Sequence, residues 1–234
     1  IAKVDEVGPT WAQRAFKHDR EASFPVDNWD DLRRMGFLGL CVPQRFGGMG
    51  ADYRTYMLVA SRIGYYCGST ANTFNMHNAN ALWTSGMVDA LDMTPEQRTQ
   101  HEHNRSVHYA HMLAGSIYAQ PFSEGSGAAA GRHPFGTVAT RREGGWVLNG
   151  KKIFASLSGS AHYYGVLCTE DVPNPTMANT LFMAVPLALV FAYAFFERGR
   201  FGGIKPTFTL ENFARIADPV YLSVKATDIE VVPR

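Results

Sequence analysis

The chain is poor in cysteine, in long apolar runs and in surplus charge of either sign, and each shortage closes off a class of function. Its three cysteines, Cys41, Cys67 and Cys168, lie far apart and form no Cys-x-x-Cys pair. An odd, scattered set supports neither a disulfide framework nor a zinc site, and it fits a reducing cytoplasm. The longest apolar run, Val185–Phe196, falls well short of the ~20 residues of a membrane span. No membrane is therefore expected as a partner. Twenty-two Lys and Arg balance 21 Asp and Glu, so no single-sign field draws the chain to nucleic acid. Ile1–Glu21 mixes polar and apolar residues, unlike a secretory leader. What is present is 46% hydrophobic residues over 234 positions, enough to bury a core in one or two domains.

From Trp11 to about Met112 the pattern is helical. The stretch DNWDDLRRM, residues 27–35, carries a capping side chain, early acids and late bases, which suits the helix dipole. Gly36 is a plausible stop. Leu38, Leu40 and Val42 then alternate as a short extended segment before the turn signals Gly47-Gly48. Apolar Tyr56, Val59, Ala60 and Ile63 predict a helix over 53–66. Further helices are predicted over 71–87 and 94–114. The second opens with Thr94-Pro95-Glu96-Gln97, a capping box with Pro at the first helical position. His101, His103, His108 and His111 lack the His-x-x-x-His spacing of a zinc helix, so a solvated face and no metal are expected. His77 reads as an interior histidine. Gly47-Gly48-Met49-Gly50 lacks the Lys-Ser/Thr ending of a phosphate loop.

Near residue 115 the pattern changes to strands and turns. Gly136–Arg142 is β-prone and Glu143-Gly144-Gly145 turns the chain. WVLNGKKIFA, residues 146–155, then has a strand, an Asn-Gly turn signal and a second strand, the signature of a hairpin. Residues 163–169 and 180–185 read as strands on either side of a Pro-containing loop, 171–175. The switch from helices to strands predicts a domain boundary.

Three stretches in register resemble the acyl-CoA dehydrogenase family. FPVDNWDDLRRMGFLGLCVPQRFGGMGAD, residues 24–52, is similar to that family's early helix, extended segment and "PxxFGGxG" turn. AQPFSEGSGAAA, residues 119–130, takes the place of the "TEPxxGSD" flavin loop. GGWVLNGKKIFAS, residues 144–156, is similar to the "GyxLNGxKxWIT" hairpin. The resemblance implies an α+β protein: an all-α domain over 1–114, then an antiparallel, β-barrel-like middle domain over 115–186. Residues 187–224 read as a discordant insertion, and 225–234 as the return of the middle domain.

The resemblance also implies FAD as cofactor, with Gln120, Phe122, Ser123, Glu124, Phe154, Ala155 and Ser156 as the residues around it. Ser123 would bond the pyrimidine edge of the flavin, Phe154 would lie beside the ring, and the Ser156 hydroxyl would approach N5. A flat apolar ring with polar edges needs one apolar wall plus hydroxyls and amides at its rim. A Ser/Gly/Ala loop can bring backbone N–H groups close to such an edge. Ala128-Ala129-Ala130 replaces the family's Gly-Ser-Asp, which puts the thioester contacts in doubt, and the substrate-binding residues stay unassigned.

The implied activity is α,β-dehydrogenation of acyl-CoA thioesters in fatty-acid metabolism. Electrons would pass to an electron-transferring flavoprotein, and the complete protein would be a homo-oligomer. No catalytic residue is assigned, because the family's carboxylate comes from a C-terminal helical bundle that would begin after Arg234. The chain alone is expected to turn over little acyl-CoA. A flavin-dependent monooxygenase on the same scaffold is the alternative. Residues 187–224 (PLALVFAYAFF in part, then FTLENFARIADPVYLSV) resemble a polyamine-type transporter permease segment, through either a chimeric sequence or a natural insertion. A transport role covers too little of the chain to lead.

Overall fold

The computed structural model describes residues 1–125, 131, 133–187, 196–198, 204–208 and 227–231. The chain divides into two compact units: Ile1–Tyr118 with Gly159–Ala161, and Ala119–Ser158 with His162–Arg234.

The first unit is helical, with α1 (Ala2–Glu21), α2 (Val26–Arg34), α3 (Tyr53–Tyr66), α4 (Gly68–Thr84), the short α5 (Gly86–Asp89) and α6 (Pro95–Leu113). α3 buries Tyr56, Val59, Ala60 and Ile63, the stripe its spacing dictates. Asp52 caps it by accepting the Thr55 N–H at 2.7 Å. α6 opens with a reciprocal box: the Thr94 hydroxyl accepts the Gln97 N–H, and the Gln97 amide oxygen accepts the Thr94 N–H.

Two local readings are corrected. α2 has no side-chain cap. Asn28 instead turns inward, donating to the Thr70 hydroxyl at 2.9 Å and accepting from Arg14 at 3.2 Å. Leu38, Leu40 and Val42 do not form an extended segment. Residues 37–42 wind through a 3₁₀ turn and are all buried, so both faces are covered and no strand partner is needed. The Gly-Gly-Met-Gly stretch folds back over this turn through Met49 N–H to Gly39, Gly50 N–H to Val42 and Ala51 N–H to Leu40. Gly48 is required there, since a Cβ would sit 2.1 Å from the Val42 carbonyl oxygen.

The unit's core is made of bulky side chains with no solvent exposure, among them Val4, Trp11, Leu32, Phe74, Tyr109 and Met112. The Trp11 indole donates to Asp31 at 2.8 Å, and Arg14 and Arg34 pair with the same carboxylate. His77 is fully buried. Its Nδ1 accepts the Tyr118 backbone N–H at 3.1 Å, so Nε2 carries the proton donated to the Leu38 carbonyl at 2.9 Å. The expected solvated histidine face on α6 is only partly present. Arg105, His108, Tyr109 and Met112 form its buried side, and the His108 ring meets Tyr118 edge-on at 4.4 Å.

The second unit is a mixed sheet in the order β1-β4-β2-β3-β8, with β5 on β4. Its strands are β1 (Tyr118–Ala119), β2 (Val138–Arg142), β3 (Gly145–Asn149), β4 (Tyr163–Glu170), β5 (Thr180–Pro186) and β8 (Thr227–Val231). β6 (Phe196–Arg198) and β7 (Ile204–Phe208) form a separate antiparallel pair. The β2–β3, β3–β8 and β4–β5 pairings are antiparallel. β2 meets β4 in parallel over two residue pairs, Val138–Thr169 and Ala139–Glu170. Helices followed by a sheet is the fold class the sequence implies, with the antiparallel rule relaxed where β2 meets β4. No α-helix follows the sheet among the described residues, and none of them forms a helix long and apolar enough to cross a membrane.

The Asn149-Gly150 signal does not turn a hairpin. The hairpin is β2–β3, closed at Arg142–Gly145 around Gly144 at φ 81°. Gly150 is required for a different reason: a Cβ there would lie 2.5 Å from both Cα and Oγ1 of Thr137. Residues 152–156 accordingly leave the sheet instead of returning along β3. Much of residues 187–224, including 188–195 and 209–224, lies outside the described residues, as does Ala128–Ala130.

Candidate functional site

The two sequence stretches singled out for chemistry meet within the second unit. Ser123 and Phe154 form an antiparallel bridge, and the Ile153 N–H donates to the Ser123 carbonyl at 2.8 Å. This bridge takes the place of the expected strand through residues 152–156, so Phe154 and Ser156 do not share a strand face. Beyond Phe154 the chain turns, with the Ser158 N–H on the Ala155 carbonyl at 3.2 Å and Leu157 in the left-handed region at φ 71°. A leucine held at positive φ is strained, and such strain collects where a segment must present particular groups. Gly125 on the other side is also in the left-handed region, at φ 72°.

Ile153 and Phe154 are 47% and 67% exposed, so an apolar ledge lies directly beside Ser123. Phe122, Ser123, Ala155 and Ser156 are half-buried. Gln120 is buried, and its side-chain amide nitrogen has no hydrogen-bond partner among the described residues. A buried unpaired donor is uncommon enough to point to a missing acceptor.

Glu124 differs from its neighbours because its carboxylate is fully engaged inside the unit. It accepts from Gly136 N–H at 2.6 Å, Thr137 N–H at 3.0 Å, the Thr137 hydroxyl at 2.5 Å and the Lys152 ammonium at 2.6 Å. Burial alone would raise the pKa of this carboxyl and favour its neutral form. The bonds from Lys152, Thr137 and Gly136 outweigh that and hold the carboxyl below the usual glutamate value. With four donors on two oxygens, the side chain is a strut of the loop and not a free group for a ligand. Lys152 also donates to the Leu167 carbonyl at 2.6 Å and sits 4.6 Å over the Phe135 ring. Sequence reading passed over Lys152, Thr137 and Gly136. The available signal was a lysine beside apolar Ile153-Phe154, four positions after the buried strand residue Leu148.

Residues 6–90 match the family model for the acyl-CoA dehydrogenase N-terminal domain. The chain is 26% identical over 193 residues to dibenzothiophene monooxygenase of Rhodococcus erythropolis, covering 80% of this chain and 42% of that protein. It is 27% identical over 157 residues to mitochondrial isobutyryl-CoA dehydrogenase of Bos taurus, covering 67% and 35%. Among solved structures, KijD3 in complex with FMN and a dTDP-linked amino-keto sugar aligns at TM-score 0.62 and 21% identity, over 80% of this chain and 43% of that one. FMN-bound TdsC from Paenibacillus sp. A11-2 aligns at TM-score 0.61 and 21% identity, over 80% and 44%. The chain thus spans about two fifths of the length of these relatives, and the structural likeness concerns the fold. Residues 6–90 therefore carry an acyl-CoA dehydrogenase N-terminal domain, and dehydrogenase relatives align beyond it.

Proposed function

We propose that the chain is the helical and flavin-binding part of a flavin-dependent oxidoreductase, with the ring against the Ser123–Phe154 bridge. The observation that carries this reading is the exposed apolar ledge of Ile153 and Phe154, bridged directly to a serine-bearing loop. The acyl-CoA dehydrogenase N-terminal domain over 6–90 and the FMN-bound fold neighbours support it. The residues fit the group: Phe154 offers an apolar wall, Ser123 and Ser156 offer hydroxyls, and the unpaired Gln120 amide offers a buried donor for a ring oxygen or nitrogen. Bound there, the flavin would supply the two-electron chemistry. The chain's own residues would bind it, orient it and keep water from the covered face. Glu124 takes no part in contact with the ring; it braces the loop. The domain reading stands as part of this proposal, with residues 115–186 and 225–234 as one β domain interrupted by 187–224.

Two reactions fit. In the dehydrogenase reading the cofactor is FAD, the substrate an acyl-CoA thioester, and the acceptor an electron-transferring flavoprotein, with the complete protein a homo-oligomer. The monooxygenase reading is favoured by the reach of the Rhodococcus dibenzothiophene monooxygenases, which align over 80% of the chain against 67% and 74% for isobutyryl-CoA and isovaleryl-CoA dehydrogenase. Titrating the protein with FAD and FMN by flavin fluorescence, then adding an acyl-CoA to the complex, tests both. Flavin binding with an acyl-CoA-induced change in the visible spectrum supports the dehydrogenase. Preference for FMN with no acyl-CoA response supports the monooxygenase. Absence of binding to either flavin contradicts the proposal.

A further inference from the structure

The bridge that presents Ser123 and Phe154 is short, and the charges beneath it are unusual. The side chains of Glu124 and Lys152 are 5% and 11% exposed and only 2.6 Å apart. A buried ion pair recovers little net stability, because desolvating both ions offsets their attraction. Its best-attested use is to fix one arrangement of segments against others, since any other register strands a charge.

Here the pair joins four separate pieces of chain. Glu124 belongs to the 120–125 loop, and Lys152 to the segment that leaves β3. The Gly136 and Thr137 donors lie just before β2, and the Leu167 carbonyl lies in the middle of β4. Each end is adjacent to a group of the bridge: Glu124 follows Ser123, and Lys152 precedes Ile153. There is no slack around the node, because Gly150 is pressed against Thr137 closely enough to exclude a Cβ. Nor is the loop held by regular strand structure, since the bridge is a single residue pair.

We propose that Glu124 and Lys152 are the positioning residues of the flavin site, locking the Ser123 loop to the Phe154 segment in the one register that presents both to the ring. The proposal rests on the flavin reading above for its functional meaning, but the locking itself can be measured without flavin. Four forms are compared: wild type, Glu124→Gln, Lys152→Met and the double variant. Flavin affinity is read by fluorescence, ring geometry by the visible circular dichroism of the bound flavin, and segment order by hydrogen–deuterium exchange without flavin.

Each single variant is expected to raise the flavin Kd roughly ten-fold or more, as displaced positioning groups do, and to alter the flavin dichroism. The double variant is expected to be no worse than the poorer single one, because the two act as a unit. Exchange is expected to quicken in 119–125 and 151–156 while β4 and β5 keep wild-type protection. Thr137→Val removes one donor without stranding a charge, and it serves if a charge variant fails to fold; a several-fold smaller version of the same pattern is expected. Wild-type affinity and dichroism in folded variants would overturn the proposal, as would additive effects or exchange quickened uniformly across the unit. If wild type binds no flavin, the functional reading fails by itself. The exchange pattern then still decides whether the pair locks the two segments.

Discussion

The two units solve opposite problems with the same resources. The helical unit hides bulk: Trp11, Trp29, Phe74 and Tyr109 have essentially no exposure, and several buried polar groups beside them are paired, as in Trp11–Asp31, Asn28–Thr70 and His77 between Leu38 and Tyr118. The β unit has a core of small and medium residues, Ala139, Leu148, Cys168 and Val185. It buries an ion pair and leaves Ile153 and Phe154 in solvent. Large apolar volume makes a region stable regardless of ligand. Both units leave large apolar side chains in solvent, Phe16, Leu58 and Tyr65 in the first and Ile153 and Phe154 in the second; what sets the second apart among the described residues is an ion pair whose two side chains are both nearly buried.

Breaking the helical side of the contrast should have the largest effect. Trp11→Ala removes a fully buried indole and one donor to Asp31, and should cost about 4 kcal/mol in denaturant unfolding. Its exchange signature should be confined to the helices. Gly150→Ala should cost about 2 kcal/mol, with the loss centred on residues 120–156, because the new methyl meets Thr137 backbone and side chain at 2.5 Å. A loss spread over both units would blur the distinction drawn here.

His108 sharpens it in a different way. Burial, and then the charges of His77 and His111, push its pKa from 6.5 down to about 3. The unfolded chain therefore binds a proton over that window that the native helices refuse. Stability of the helical unit should be fully present above about pH 6.5 and fall as pH drops toward 3, with a slope approaching ~1.4 kcal/mol per pH unit. His108→Gln should flatten that slope in pH-dependent melting. Smallest of all, Thr94→Ala should remove the α6 capping box for about 1 kcal/mol, seen as faster exchange in the first turn of α6 alone.

Legibility in the sequence followed the same division. Helices were readable where one local rule decided them, as with the Tyr56-Val59-Ala60-Ile63 stripe and the Thr94–Gln97 box. The family resemblance made the order of helices and sheet legible, and it drew attention to the 119–130 and 144–156 stretches that the structure joins at Ser123–Phe154. The misreadings came from long-range contacts imitating local signals. Asn149-Gly150 looks like a hairpin turn, yet its glycine answers to Thr137, thirteen positions back. Leu38, Leu40 and Val42 alternate like a strand because every side of that turn is covered. The partners of the Glu124 carboxylate, Gly136, Thr137 and Lys152, come from elsewhere in the chain, and no pattern along a single strand could reveal them.

The most direct test of the central claim is the visible absorption spectrum of the protein after incubation with FAD or FMN and desalting, set beside that of Phe154→Asp. Phe154 is exposed, so the substitution should leave the melting temperature nearly unchanged. The account predicts that wild type retains oxidised-flavin bands and that the variant, equally folded, loses them. Equal retention by both forms, or no retention by wild type, would contradict a flavin site at the Ser123–Phe154 bridge.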